Sequence, residues 1–169
     1  MSSEIVCRNA PLEHPLWTFS LALYNQPGVA AHVLERQEAY HIWVNDWLFA
    51  VWLAQQQRII HDDFALHMET WQAWREAAVM PWRSLRMALR EPGLEGLHQR
   101  TLETELRLEQ ADQAYLYARQ GKLSELAPPS DLTVLIVTSL QRLSVELDQA
   151  VVESSAELLS AATSRLFSS

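Results

Sequence analysis

At 169 residues, 49% of them apolar, the chain is long enough to bury a core, and its four glycines and single Lys122 beside twelve arginines leave a composition that favours helix. The formal net charge of -8 excludes general binding to nucleic acid, because an acidic surface repels a phosphate backbone. One cysteine, Cys7, excludes an internal disulfide framework.

The chain opens on an expected irregular arm, residues 1–13. "MSSEIVCRNAP" lacks the charged start, apolar stretch and cleavage site of a signal peptide, and a lone cysteine suits a reducing compartment, so a cytoplasmic location is expected. "EHPLWTFSLALYNQPGV" predicts a first helix, with Pro15 in its permissive first turn and Pro27-Gly28 ending it. Trp17, Leu21 and Tyr24 share one of its faces. "VAAHVLERQEAYHI" predicts a second helix with Val33, Gln37 and Tyr40 aligned.

"HIWVNDWLFAVWLAQ" predicts a third helix that is apolar all round and therefore central. Its apolar run, residues 47–54, is far below the ~20 residues that span a bilayer, so no membrane partner is expected. Asn45 and Asp46 interrupt the run. Asn45 is a favoured N-cap and Asp46 suits the positive end of the helix dipole, so capping is the expected role of the pair. A functional polar pair held inside the core is the competing reading.

"DDFALHMETWQAWREAAVMPWRSLRMALREPG" predicts a fourth helical region, capped by Asp62 or Asp63 and ended by Pro92-Gly93. Pro81 should kink or divide it, since proline removes an internal hydrogen bond. Beyond Pro81, Trp82, Leu85 and Leu89 are the expected inner face, with Arg83, Arg86 and Arg90 as a basic stripe alongside. The fifth helix, from about residue 94 to 120, is expected to stop at Gly121. Its expected seam includes Leu97, Leu108 and Tyr115. A second stripe holds His98, Glu105, Glu109 and Asp112, and pairing with the arginine stripe would neutralise it.

"LAPPSDLTV" is the clearest linker, with Ser130 or Asp131 capping a last helix over residues 131–166. That helix carries two apolar stripes on nearly opposite sides. Ile136, Leu140, Leu143, Leu147, Val151, Leu158 and Ala161 form one, and Val134, Val137, Val145, Val152, Leu159 and Leu166 the other. Unbroken, it would reach roughly 54 Å at 1.5 Å per residue. Its second stripe needs a cover, which helices of the same chain, a symmetric copy or another protein can provide. The expected fold is all-α: a single-domain antiparallel bundle over residues 1–169, with five to seven helices and a long C-terminal helix.

Catalytic signals are sparse. Glu-x-x-His pairs of the di-metal carboxylate kind occur at Glu38-His41 and Glu95-His98, with Glu69 and Glu105 as further ligands. Gly96 and the preceding Pro-Gly, however, put the second pair at a helix start. His61, Asp62, Asp63 and His67 read more simply as a polar loop and a helix cap. No phosphate-cradling glycine loop and no nucleophile motif is present, so neither a catalytic set nor a metal or cofactor is expected. The seven tryptophans all lie between Trp17 and Trp82, and clustered aromatics can line a ligand pocket. Trp43, Trp47, Trp71 and Asn45 are its candidate residues.

The expected function is a non-enzymatic cytoplasmic protein that binds another protein or a second copy of itself. The candidate surface is Val134, Val137, Val145, Val152 and Leu159 of the C-terminal helix, with Arg83, Arg86 and Arg90. The alternatives are a small-molecule binder with a Trp-lined pocket and a di-metal carboxylate enzyme.

"LWTFSLALYNQPGV", followed by "VNDWLFAVWLA" and "PWRSLRMALRE", resembles a family of short bacterial helical proteins known only as a domain of unknown function, over roughly residues 15 to 120. Tyr24, Pro27 and Gly28 match its first helix end; Val44, Asn45, Trp52, Leu53 and Ala54 its third helix; Arg83, Arg86 and Arg90 its arginine-rich segment. Asp46 and Trp47 depart from its aliphatic pattern, and the C-terminal helix matches weakly. The resemblance implies a bacterial, intracellular, helical protein and transfers no activity.

Overall fold

A computed structural model describes residues 11–168, so Cys7 and most of the expected arm lie outside the described residues. His14 opens α1 (Pro15–Tyr24), its Nδ1 accepting the Trp17 backbone N–H at 3.1 Å, with Pro15 in the first turn. Gly28, at φ +85°, makes the reversal into α2 (Val29–Tyr40). His41, also left-handed at φ +56°, ends α2 and leads into α3 (Val44–Ala54). As its composition requires, α3 is the central rod: Trp47 to Val51, Leu53 and Ala54 are all buried.

A short strand, β1 (Arg58–Ile60), pairs antiparallel with β2 (Ser124–Leu126), with Ile59 opposite Glu125. This two-stranded tie joins the end of α3 to the end of α6 and was not foreseen. Between the strands run α4 (Phe64–Trp74), a π-helical turn (Arg75–Val79), α5 (Met80–Ala88) and α6 (Glu95–Leu123). The chain closes with α7 (Leu132–Leu143) and α8 (Gln149–Phe167). Counting α4, the π turn and α5 as one helical rod, seven helices form the expected all-α bundle among the described residues.

Three sequence expectations need correction. Gly121 does not stop α6, which continues to Leu123 before the chain enters β2. Residues 131–166 are not one helix. Ser144 leaves the helical region at φ -141°, and Asp148 starts a new helix by accepting the Ala150 N–H at 2.8 Å. Ser and Asp compete for backbone hydrogen bonds and so favour caps over helix interiors. Folding back lets Ile136 and Leu140 of α7 and Val152 and Leu159 of α8 enter one core, where all four are 1% exposed or less. The molecule's long helix is α6, at 29 residues. The third correction concerns α5, which has no buried residue at all. Trp82 and Leu85 are exposed and Leu89 is half-buried, because the arginine side of α5 is the side that meets α6.

Candidate functional site

Asn45 and Asp46 do not cap α3. The cap position is Trp43, which makes no side-chain cap bond, and the polar pair lies inside the first turn. Both side chains turn instead toward α6 and the π turn. Arg75 Nη1 and Nη2 donate to the two carboxylate oxygens of Asp46 at 2.9 and 2.5 Å. Arg75 Nε and Nη2 donate to Asp112 at 2.7 and 3.1 Å. Asp112 further accepts from Trp71 Nε1 at 2.6 Å and Asn45 Nδ2 at 2.8 Å. Asn45 Oδ1 in turn accepts from Gln113 Nε2 at 2.9 Å. The pair is therefore bonded inside the molecule, which is where the competing reading places it.

Arg75 is 1% exposed, and the Trp43 ring lies 4.9 Å from its guanidinium carbon. Burial by itself lowers the guanidinium pKa, but the charges and hydrogen bonds of Asp112 and Asp46 together raise it, so Arg75 is cationic. Asp46 is pushed above the usual carboxylate range, because burial outweighs the attraction of Arg75. Sequence reasoning missed Arg75. Its signal was an arginine directly after Trp74 in "WQAWREAAVM", a stretch otherwise rich in apolar residues.

Position in the π turn explains how Arg75 and Arg83 meet the same partner helix. Eight residues apart, they would diverge by about 80° on a regular α-helix at 100° per residue. The π turn absorbs one residue, which gives the pair roughly the separation of seven, about 20°. They then face Glu105, Glu109 and Asp112, which lie on one face of α6 at four- and three-residue steps. Arg83 donates through Nε to Glu105 at 3.1 Å, through Nη2 to Glu109 at 3.0 Å and through Nη1 to Gln37 at 3.0 Å. Arg86 pairs closely with Glu105 through Nε.

The expected match between basic and acidic stripes thus exists within the chain for two of the three arginines. Arg90 is exposed, with no ion pair among the described residues, and His98 is half-buried outside the network. This is also why the expected seam of α6 fails at Leu97, although it holds at Tyr115, which is buried. Over its first half, Thr101 and Glu105 are buried while Leu97, Leu102 and Leu106 are exposed.

Above this charged floor lies a cavity of about 570 Å³ bounded by α1, α2, α3, α5 and α6. That size falls within the ~300–1,000 Å³ typical of small-molecule sites. Its walls are apolar, with Trp17, Leu21, Leu34, Met87, Leu102 and Leu106 among them. Asn45, Arg83, Glu105, Glu109, Asp112 and Gln113 supply polar lining. Two buried atoms of lining residues, Ser20 Oγ and Gln113 Oε1, have no hydrogen-bond partner among the described residues. Burial, reinforced by the neighbouring Glu109 charge, pushes the half-buried Tyr24 phenol up. Burial likewise pushes Glu109 above the usual carboxylate range, although its side chain keeps 32% of its surface open. A smaller cavity of about 270 Å³ shares Trp43, is also lined by Asp46 and is bordered by the turn after α7.

Of the predicted pocket residues, Trp43 and Asn45 line the large cavity. Trp47 does not: it is 1% exposed, in the core and beside the smaller space. Trp71 lies beneath the floor, stacked on Tyr115 with centroids 3.9 Å apart, and touches the site only through Asp112. Of the predicted interaction surface, Val152 and Leu159 are internal, Val137 is half-buried, and Val134 and Val145 are exposed, Val145 in the turn between α7 and α8. The candidate metal pairs do not assemble. No group of three or more His, Cys, Asp or Glu is placed to hold a metal ion among the described residues. Asp62 instead pairs with Arg142 at 2.7 Å, and Arg142 also meets Glu125 at 2.7 Å. No helix among the described residues is long and apolar enough to cross a membrane.

No curated protein and no solved structure matches the chain. One family model does, over residues 15–116, which contain every residue lining the large cavity and stop short of α7 and α8. The chain belongs to the family described as protein of unknown function, DUF2390.

Proposed function

We propose that this protein is a cytoplasmic small-molecule-binding protein whose ligand occupies the cavity between α1, α2, α3, α5 and α6. The observation that carries the reading is the pairing of apolar walls with a lining that holds two buried, unpartnered polar atoms, Ser20 Oγ and Gln113 Oε1. A buried polar group without a partner costs roughly 1–3 kcal/mol, and a bound molecule or ordered water removes that cost. The rigid, bonded floor beneath supports the same reading, since it fixes the orientation of Asn45 and Gln113 before any ligand arrives. Association through the C-terminal residues is left with Val134, Val145 and the half-buried Val137, because Val152 and Leu159 pack inside the chain.

The test uses Nile red, a neutral apolar dye whose emission rises out of water, titrated with the full-length chain. The wild type is expected to give saturable enhancement at one site. Leu106→Trp narrows the cavity from a position that is 46% exposed and so tolerates the added bulk. The dye should bind this variant at least about tenfold more weakly. Absence of saturable enhancement, or equal enhancement in a variant with unchanged circular dichroism, overturns the proposal.

A further inference from the structure

We infer that the ligand of this cavity presents a protonated amine, with at least one N–H, on an apolar body; the inference rests on the small-molecule reading of the site. Three observations point to it. First, the charges beneath and along the cavity do not balance. Asp46, Asp112, Glu105 and Glu109 are four carboxylates, joined by ion pairs to only three guanidinium groups, those of Arg75, Arg83 and Arg86. At the rim the exposed Glu38 and Arg90 add one charge of each sign and leave the imbalance as it is. A cation entering the site brings the set to neutrality. An anion doubles the excess where water screens it least.

Second, two acceptors on the α6 side of the lining remain open. Arg83 donates through all three of its nitrogens, and Arg86 is held on Glu105. Glu105 receives both arginines and Asp112 receives four hydrogen bonds, whereas Glu109 receives Arg83 at a single oxygen, Oε1. Gln113 Oε1, which can only accept, has no donor, and Gln113 is 1% exposed. A donor placed between Gln113 Oε1 and the second Glu109 oxygen would serve both. Third, Glu109 and Gln113 are one helical step apart on α6, so their acceptors lie on the same face and suit one multi-donor group.

The walls specify the rest of the molecule. Trp17, Leu21, Leu102 and Leu106 offer no charged partner, so the body opposite the amine is apolar. A quaternary ammonium is a poor fit, because it carries charge without a hydrogen to give Gln113.

Four ligands of one shape class test this by displacing Nile red from the full-length chain: 2-phenylethylamine, its trimethylammonium analogue, 2-phenylethanol and 3-phenylpropanoate. The primary amine should compete about tenfold better than the alcohol and better still than the carboxylate, with the quaternary analogue below the primary amine. Glu109→Gln should lower the amine-to-alcohol ratio about tenfold. That ratio is internal to each protein, and a circular dichroism spectrum establishes that the variant is folded. Equal or better binding of the carboxylate, the alcohol or the quaternary amine overturns the inference, as does dye that none of the four displaces. If Nile red itself does not bind, the cavity reading fails and takes the amine with it.

Discussion

Arg75 is where the fold concentrates its electrostatic risk. A guanidinium removed from water is tolerated only because both neighbouring carboxylates bond it with good geometry, and they in turn depend on it. Arg75→Met matches the volume but leaves Asp46 and Asp112 charged or forced to protonate in the core. It should lower the unfolding free energy in urea by roughly 3–5 kcal/mol. Arg83→Met, at a side chain 19% exposed, should cost clearly less, because cavity water can solvate Glu105 and Glu109. Equal losses at the two positions would show that Arg75 contributes no more than an ordinary surface pair. The same residues mark the limit of local sequence reasoning. Asn45 and Asp46 carry every mark of a helix start, and a helix does start at Val44. Nothing within ten residues announces that their partners are Arg75, Asp112 and Gln113, one on the π turn and two on α6.

At the scale of the elements, the instructive segment is the rod from Phe64 to Ala88. Pro81 reads as a break, since its ring collides with the carbonyl four residues back. The chain answers with a π turn just before it, in which the Met80 N–H reaches five residues back to the Arg75 carbonyl. That turn absorbs one residue, so proline tolerance and the alignment of Arg75 with Arg83 are one device. Deleting Ala78 should let the segment relax to a regular helix that keeps both arginines on α6. The proline clash then returns, at a cost of roughly 3 kcal/mol. Adding Pro81→Ala to the deletion should recover most of that loss, read as the urea midpoint of the three chains, with circular dichroism showing helix retained. No recovery in the double change would separate the π turn from the proline. The helices that end at a turn signal, α1 at Pro27-Gly28 and the rod before Pro92-Gly93, were legible in the sequence. Gly121 within α6 and Ser144 after α7 were not, because whether a weak breaker acts depends on what the next segment can bury.

For the whole molecule, the lesson is an inverted distribution of polarity. Where the π turn and α5 meet the first half of α6, carboxylates and guanidinium groups lie inside while Trp82, Leu85, Leu97 and Leu106 lie outside. In the half closed by α7 and α8, the ordinary order holds. A periodic reading of apolar residues therefore finds the fold class and the last helices' inner stripe. It pairs the acidic and arginine stripes and puts Trp43 and Asn45 at the pocket, but it sends Leu97 of α6 inward and takes Trp47 and Trp71 for pocket walls. It leaves the cover of the second stripe of residues 131–166 open, and the turn at Ser144–Asp148 brings Val152 and Leu159 of that stripe into the same core as Leu140. A chain ending at Asp148 decides between these two accounts. If α8 is part of the core, truncation uncovers Ile136 and Leu140 and removes Val152, Ala156, Leu159 and Ala162, each contributing on the order of 1–3 kcal/mol of burial. Such a loss exceeds what a small domain holds in reserve. The shortened chain should then lose its cooperative thermal transition and scatter light as an aggregate, in place of changing from one defined mass to another. A shortened chain that melts cooperatively at the full-length midpoint would make α8 an appendage, and its buried stripe the seat of an assembly surface after all.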